Sequence, residues 1–183
     1  MAGLRTDPRH AVWLGLGGNV GDVETAMAGV LQALDARRDT CVTAVSGLYR
    51  TPPWGVTDQP DFLNCCAAIG TTLEPRALLE TCLSLERDWR RERKLRWGPR
   101  TIDIDILAHD GPPVDEPGLV IPHPRAAERA FVVVPLAELA PDLPLGGKTV
   151  SALAAQADRQ GMERLARPAD WWHGAIGKQK AGA

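Results

Sequence analysis

Apolar and polar positions alternate most clearly over residues 102–107, where Ile102, Ile104 and Ile106 interleave with Asp103 and Asp105. Period-two alternation predicts a strand, here Thr101 to Ala108, with the isoleucines in a core and both carboxylates on the opposite face. Ala11 to Leu16 predicts a first strand. It is closed by the turn Gly17-Gly18-Asn19-Val20-Gly21-Asp22, in which Asp22 can cap a helix. Met27, Val30, Leu31 and Leu34 then recur at helical spacing and carry that helix to about Arg37. Thr40 to Tyr49 is rich in β-formers and predicts a second strand. Thr51 to Pro60 is punctuated by proline and glycine and predicts a loop. Asn64 to Thr71 predicts a third, apolar strand.

A second helix starts at Glu74-Pro75, with proline in its first turn and Leu78, Leu79, Cys82, Leu85 and Trp89 as its apolar stripe. After the aspartate strand come a turn at Asp110-Gly111-Pro112-Pro113 and a short edge strand at Leu119 to Ile121. A helical stretch broken at Pro135 follows over Glu128 to Leu139, then a last short helix over Thr149 to Ala157. From Arg159 onward the pattern fades, and about ten terminal residues are expected to be disordered. The order β-α-β-β-α-β predicts an α+β fold of ferredoxin-like type, an antiparallel four-stranded sheet with two helices on one face. Extra C-terminal helices would cover the other face and complete a three-layer α/β/α sandwich. One domain over residues 11–165 is expected, with 1–10 and 166–183 as flexible or unassigned termini.

Composition changes this picture little. The chain has 183 residues and 44% apolar content, enough for one core. No apolar run reaches the length of a membrane span, and the polar N-terminus carries no signal-peptide core. A cytoplasmic location away from membranes is the expectation. Cys41, Cys65, Cys66 and Cys82 form no Cys-x-x-Cys pair and read as buried thiols.

Charge changes it more. The net charge of −2 argues against broad nucleic-acid binding. Yet Arg87, Arg90, Arg91, Arg93, Lys94, Arg96 and Arg100 face only Asp88 and Glu92 within residues 87–100, a local +5. That run continues past the second helix into a Gly-Pro turn and stops at the aspartate strand. A local anionic ligand explains the placement better than solubility does. Carboxylates two apart on one strand face lie about 7 Å apart and can share a metal, and arginines beside them suit phosphate oxygens. A solvated outer face is the plainer alternative for the Asp-x-Asp pair. The glycines at 15, 17 and 18 do not give Gly-x-Gly-x-x-Gly, and neither a P-loop nor a protein-kinase motif is present. A ferredoxin-like sheet can also bind RNA through strand aromatics, but the chain lacks that aromatic strand motif.

Several motifs in one order resemble the 6-hydroxymethyl-7,8-dihydropterin pyrophosphokinase family. They are Leu16-Gly17-Gly18-Asn19-Val20-Gly21-Asp22, Tyr49-Arg50-Thr51-Pro52-Pro53-Trp54-Gly55 and Asp58-Gln59-Pro60-Asp61-Phe62-Leu63-Asn64. They continue through Arg96 to Asp105, Ile121-Pro122-His123-Pro124, Arg129-Ala130-Phe131, and Pro135 to Pro141. The resemblance runs from about Trp13 to Pro144. It implies transfer of the terminal pyrophosphoryl group of ATP to 6-hydroxymethyl-7,8-dihydropterin, with release of AMP, two Mg²⁺ ions and a place in folate biosynthesis. A monomer is expected, with these two substrates as its partners and no nucleic acid.

The resemblance also implies roles. Asp103 and Asp105 match the metal ligands, and Arg96 and Arg100 match residues around the nucleotide and catalytic loop. Arg91 and Arg93 match arginines of a closing loop, which Trp97 helps to seal. Thr51, Pro52, Trp54, Phe62, Asn64 and Phe131 match the pterin pocket. There Phe62 and Phe131 suit stacking, and Asn64 offers both donors and an acceptor. Glu86, Ile106, His123 and Arg129 match the nucleotide side. Plainer roles remain: core packing for the two phenylalanines and Trp97, a helix-surface place for Glu86, a structural one for His123. His10, His109 and His173 have no motif and read as surface residues. Gly18, Arg90, Trp54, Gly118 and Val120 depart from the family pattern. The last two stand where some members carry an arginine and a threonine near ATP.

Overall fold

A computed structural model describes residues 10–53, 58–89 and 101–174. The expectations for Trp54, Arg90, Arg91, Arg93, Arg96, Trp97 and Arg100, and for the last residues of the tail, fall outside that range. Within it no helix is long and apolar enough to cross a membrane.

The first element, β1, spans His10–Gly18. Helix α1 follows over Val23–Asp35, capped as its sequence predicts: the Asp22 carboxylate accepts from the Thr25 N–H at 3.0 Å. The predicted second strand is interrupted. It runs as β2 over Thr40–Val45 and as β3 over Tyr49–Thr51, both paired to the same edge of β4, Phe62–Thr71. The interruption has a local cause. The register shifts between Val42 and Ala44; the Ser46 N–H still donates to the Cys66 carbonyl, but the Cys66 N–H turns to the Ser46 hydroxyl instead of a strand carbonyl.

Helix α2 spans Pro75–Trp89 and β5 spans Asp103–His109. The predicted edge strand Leu119–Ile121 is β7. It joins not the main sheet but a hairpin with β6, Val114–Glu116. The expected broken helix is a 3-10 turn at Ala126–Glu128, an extended Arg129, and α3 over Ala130–Ala137, which keeps Pro135 inside it. A hairpin of β8, Pro144–Leu145, and β9, Lys148–Thr149, leads into α4, Val150–Gln156. Finally β10, Glu163–Arg164, pairs with the outer edge of β3.

The fold is α+β, and every pairing in the main sheet is antiparallel. Its strand order is β10-β3-β4-β1-β5, with β2 beside β4. Alternation sends neighbouring residues to opposite faces. Leu14 and Leu16 of β1, Ile69 of β4, and Ile104 and Ile106 of β5 pack under α1 and α2. Cys66 of β4 and Leu107 of β5 pack under α3 and α4. The isoleucines of the Asp-x-Asp strand are therefore in the core, as expected, and the C-terminal helices do cover the second face. Cys65, Cys66 and Cys82 are buried free thiols, and Cys41 is half-buried.

The packed chain continues past Leu165, the expected limit of the domain. Trp171 and Trp172 are buried in the cluster beneath α1. The Trp171 indole donates to the Ser46 carbonyl at 3.2 Å, Gln32 donates to the Trp172 carbonyl, and Arg167 forms a forked pair with Glu24. This segment is a strap across α1. Its sequence shows no periodicity because its partners lie more than a hundred residues away.

Candidate active site

Two glycines open the cleft. Gly15 and Gly17 point to the α3 face of the central strand β1 and place no side chain there. Their neighbours across the sheet are the chemically useful residues. Gly17 pairs with Asn64 of β4 on one side and Asp103 of β5 on the other; Gly15 pairs with Cys66 and Asp105. A cavity of about 140 Å³ forms over this gap. Its floor is Gly15 and Gly17, one end is Asp103 and Asp105, and the other is Thr51, Pro52, Phe62 and Asn64. Arg129, Phe131 and Val132 roof it from the start of α3.

The fit of Gly17 to Asn64 is close. A Cβ at position 17 would stand 2.8 Å from the Asn64 side-chain oxygen. Asn64 is buried and donates to the Thr51 hydroxyl at 2.8 Å. That bond fixes the amide, leaving its second N–H and its oxygen for a ligand. The turn after β1 is held in place as well: Asn19 donates to the Gln59 side chain and the Pro60 carbonyl, both at 3.0 Å. Gln59 lies in the cleft wall.

Asp103 and Asp105 are half-buried and share the cleft, not a solvated outer face. Arg129 pairs with Asp105 at 3.6 Å, and its guanidinium lies 5.7 Å from the Phe131 ring centre. His123 sits close by, after the cis Ile121–Pro122 peptide. Its N–H donates to the Leu107 carbonyl at 2.8 Å, and its Nδ1 accepts from the Arg125 N–H at 3.2 Å. Burial lowers the His123 imidazole from its usual value; Asp105 opposes that shift and Arg129 reinforces it. A neutral ring with Nδ1 occupied as acceptor carries its proton on Nε2 and is a donor there.

Most of the expected residues therefore converge. Thr51, Pro52, Phe62, Asn64, Phe131, Asp103, Asp105 and Arg129 line one cleft, and His123 adjoins it. Two do not line it. Glu86 is buried, at 4% exposure, and is no helix-surface residue: its carboxylate accepts from the Ile104 N–H at 2.8 Å, between the two aspartates. Ile106 faces the other side of β5, in a small recess with Leu73, Leu78, Ile121, His10 and His109. The last two are thus half-buried rims of a recess, while His173 is exposed. The roles of Gly15, Gly17 and Gln59 were not anticipated. The glycines alternate with the core residues Leu14 and Leu16 as the aspartates alternate with the isoleucines, and that was the available signal.

An α+β sandwich whose cleft has paired carboxylates at one end, and a buried amide with two aromatic rings at the other, has the lining of a small-molecule site. Its class is a cleft suited to a flat hydrogen-bonding ring beside hard carboxylate oxygens. Comparison with known proteins narrows the class. Residues 13–141 match the family 7,8-dihydro-6-hydroxymethylpterin-pyrophosphokinase (HPPK). A 2-amino-4-hydroxy-6-hydroxymethyldihydropteridine pyrophosphokinase of Methylorubrum extorquens is 53% identical over 153 residues, which are 84% of this chain and 97% of that protein. The Pseudomonas aeruginosa protein of the same name is 42% identical, over 84% and 96%. The chain belongs to this family. Among solved structures, an HPPK-DHPS in complex with substrates superposes with a TM-score of 0.69 at 12% identity, over 86% of this chain. A Plasmodium falciparum HPPK-DHPS gives 0.67 at 13%. The chain spans about half the length of those two solved chains, and the likeness concerns the fold.

Proposed function

We propose that this chain transfers the terminal pyrophosphoryl group of ATP to the primary hydroxyl of 6-hydroxymethyl-7,8-dihydropterin, a step of folate biosynthesis. The bond between the β-phosphorus of ATP and its bridge to the α-phosphate breaks. The pterin hydroxyl oxygen bonds that β-phosphorus, its proton leaves, and AMP is released.

The row Asp103–Gly17–Asn64 carries this reading. Asn64 and Asp103 stand two strands apart on one face, about 10 Å at sheet spacing. A bicyclic pterin held by Asn64 spans most of that distance and directs its hydroxymethyl arm toward the carboxylates. Phe62 and Phe131 supply ring contacts, and burial in the cleft strengthens the amide hydrogen bonds. Among the described residues no side chain of the cleft is an evident general base, so catalysis rests on positioning and charge neutralisation in this reading.

The donor set fits Mg²⁺. Asp103 and Asp105 offer hard oxygens only, and among the described residues no larger cluster of His, Cys, Asp and Glu could hold a metal. Mg²⁺ commonly takes one or two carboxylates and completes its shell with water and phosphate. Two such ions, held by these aspartates and ATP, would supply charge neutralisation at the phosphate oxygens. Arg129 supplies guanidinium hydrogen bonds to the triphosphate in this reading, and the family resemblance assigns Arg91, Arg93, Arg96, Trp97 and Arg100 to the same nucleotide side. The Nε2–H of His123 is a further donor. Ile106 keeps its place on the nucleotide side only through the family resemblance, since its side chain is buried in the core.

The ferredoxin-like class belongs to the same reading, supported by the central order β3-β4-β1-β5. A cytoplasmic location is consistent with the free thiols, and a monomer belongs to the same reading. Phosphorus NMR of the protein with ATP, Mg²⁺ and the pterin tests the reaction. AMP and a pterin diphosphate, absent without pterin, are expected; ADP would overturn it.

A further inference from the structure

One carboxylate beyond the cleft gathers three segments of the chain. Glu138, just after α3, accepts from the Gly47 N–H at 3.1 Å and from the Tyr49 hydroxyl at 2.5 Å. The Arg164 guanidinium reaches both of its oxygens, at 3.3 and 3.2 Å. Gly47 lies in the break between β2 and β3, Tyr49 opens β3, and Arg164 lies in β10, the strand that flanks β3. The clamp therefore holds β3 from its start and from its outer edge.

The protonation states suit a permanent clamp. Burial pushes the Glu138 carboxyl up, but hydrogen bonds from Arg164, Tyr49 and Gly47 outweigh it and leave the group below its usual value. Burial and the Glu138 carboxylate push the Tyr49 hydroxyl up to about 12, so it stays a donor.

What β3 carries gives the clamp its importance. Tyr49 and Thr51 are two apart and share a face. The register sets Tyr49 opposite Asn64 and Thr51 opposite Phe62. Thr51 in turn accepts from the Asn64 amide. β3 has three residues, too few for its ladder alone to fix its tilt. A shift of β3 moves Thr51, and with it the amide meant for the pterin.

We infer that Glu138 is a positioning residue for pterin: through Tyr49, Gly47 and Arg164 it fixes β3, so that Thr51 aims the Asn64 amide into the cleft. It is not among the residues lining the cleft. The inference rests on the pterin reading of that cleft.

The test is calorimetric pterin binding without nucleotide, together with KM and kcat for both substrates, well below each variant's melting temperature. Glu138→Ala is expected to raise the pterin Kd and KM about tenfold, the scale of a lost charge-assisted hydrogen bond. The KM for ATP and kcat at saturating pterin should stay within about twofold, because the phosphate end is untouched. Glu138→Gln, which keeps an acceptor but loses its charge toward Arg164, should fall between. Tyr49→Phe should shift the same constants in the same direction and carries the test if Glu138→Ala does not fold. Unchanged pterin affinity in folded variants, or an even loss across pterin, ATP and kcat, overturns the inference. A wild-type chain that binds no pterin overturns the pterin reading itself and this inference with it.

Discussion

The two faces of the central sheet are made by the same strands and differ in what alternate positions are allowed to carry. Toward α1 and α2, β1 presents Leu14 and Leu16 and β5 presents Ile104 and Ile106, all nearly inaccessible. Toward α3, the residues between them are Gly15, Gly17, Asp103 and Asp105, with Asn64 on β4. One face is closed by volume. The other is kept open by two missing side chains, and the polar groups gather around that gap. The first face holds the strands at the spacing that sets Asn64 and Asp103 about 10 Å apart on the second.

If that division is real, changes on the two faces should fail in different ways. The largest effect is expected at the carboxylates. Asp105→Ala should lower turnover about a thousandfold or more, in line with removing a preorganised electrostatic contact to a transition state. Pterin affinity measured without nucleotide should change little, since Asn64 and the rings stand at the far end. A comparable loss of pterin binding would mean the cleft does not divide its labour this way.

Next in size is a change on the closed face. Leu14 is fully buried, and Leu14→Ala should destabilise by about 3 kcal/mol through lost transfer energy and a cavity. Chemical denaturation would report that, while pterin Kd stays at its wild-type value in the folded protein. The mirror experiment is three residues along the same strand. Gly17→Ala adds a single methyl group where the Asn64 oxygen already stands. About 1 kcal/mol of stability loss is expected, with a weakening of pterin binding well beyond it in proportion. An alanine at 17 that leaves pterin affinity intact would remove Gly17 from the account.

Legibility in the sequence followed the same division. Period-two alternation located the Asp-x-Asp strand and the side each residue takes, because that depends only on neighbours. The open face was harder, since its defining feature is an absence. Gly15 and Gly17 read as a failed nucleotide motif, though they alternate with Leu14 and Leu16 as the aspartates do with the isoleucines. The resemblance puts Glu86 on the nucleotide side, with a helix surface as its plainer place, yet it falls four residues after Cys82 and eight after Leu78, on the buried stripe of α2. The pterin residues were identified through family resemblance; no spacing alone joins Thr51, Asn64 and Phe131. The Trp171-Trp172 strap and the split of the second strand depend on partners distant in sequence, Gln32 and Ser46 for the first and Cys66 for the second.

The smallest expected effect separates two acid clamps. At the corner between α1 and β2, Asp39 holds Arg37 at 2.7 and 2.8 Å, and that guanidinium keeps the Asp39 carboxyl below its usual value. Glu138 is likewise depressed, but it braces β3. Both carboxyls titrate lower folded than unfolded. Their contribution is therefore complete above the unfolded value near pH 4 and is lost as pH falls through the folded value. Each pair is partly exposed to solvent, so about 1 kcal/mol or less is at stake. Asp39→Asn should lower the melting temperature at pH 7 by a degree or a few, with the difference from wild type closing as the pH approaches 3. At neutral pH it should leave pterin affinity unchanged, where the Glu138 variants do not. An Asp39→Asn deficit constant across that range would assign the effect to packing instead of charge. A pterin affinity that fell with Asp39→Asn would show that the closed face also sets the geometry of the open one.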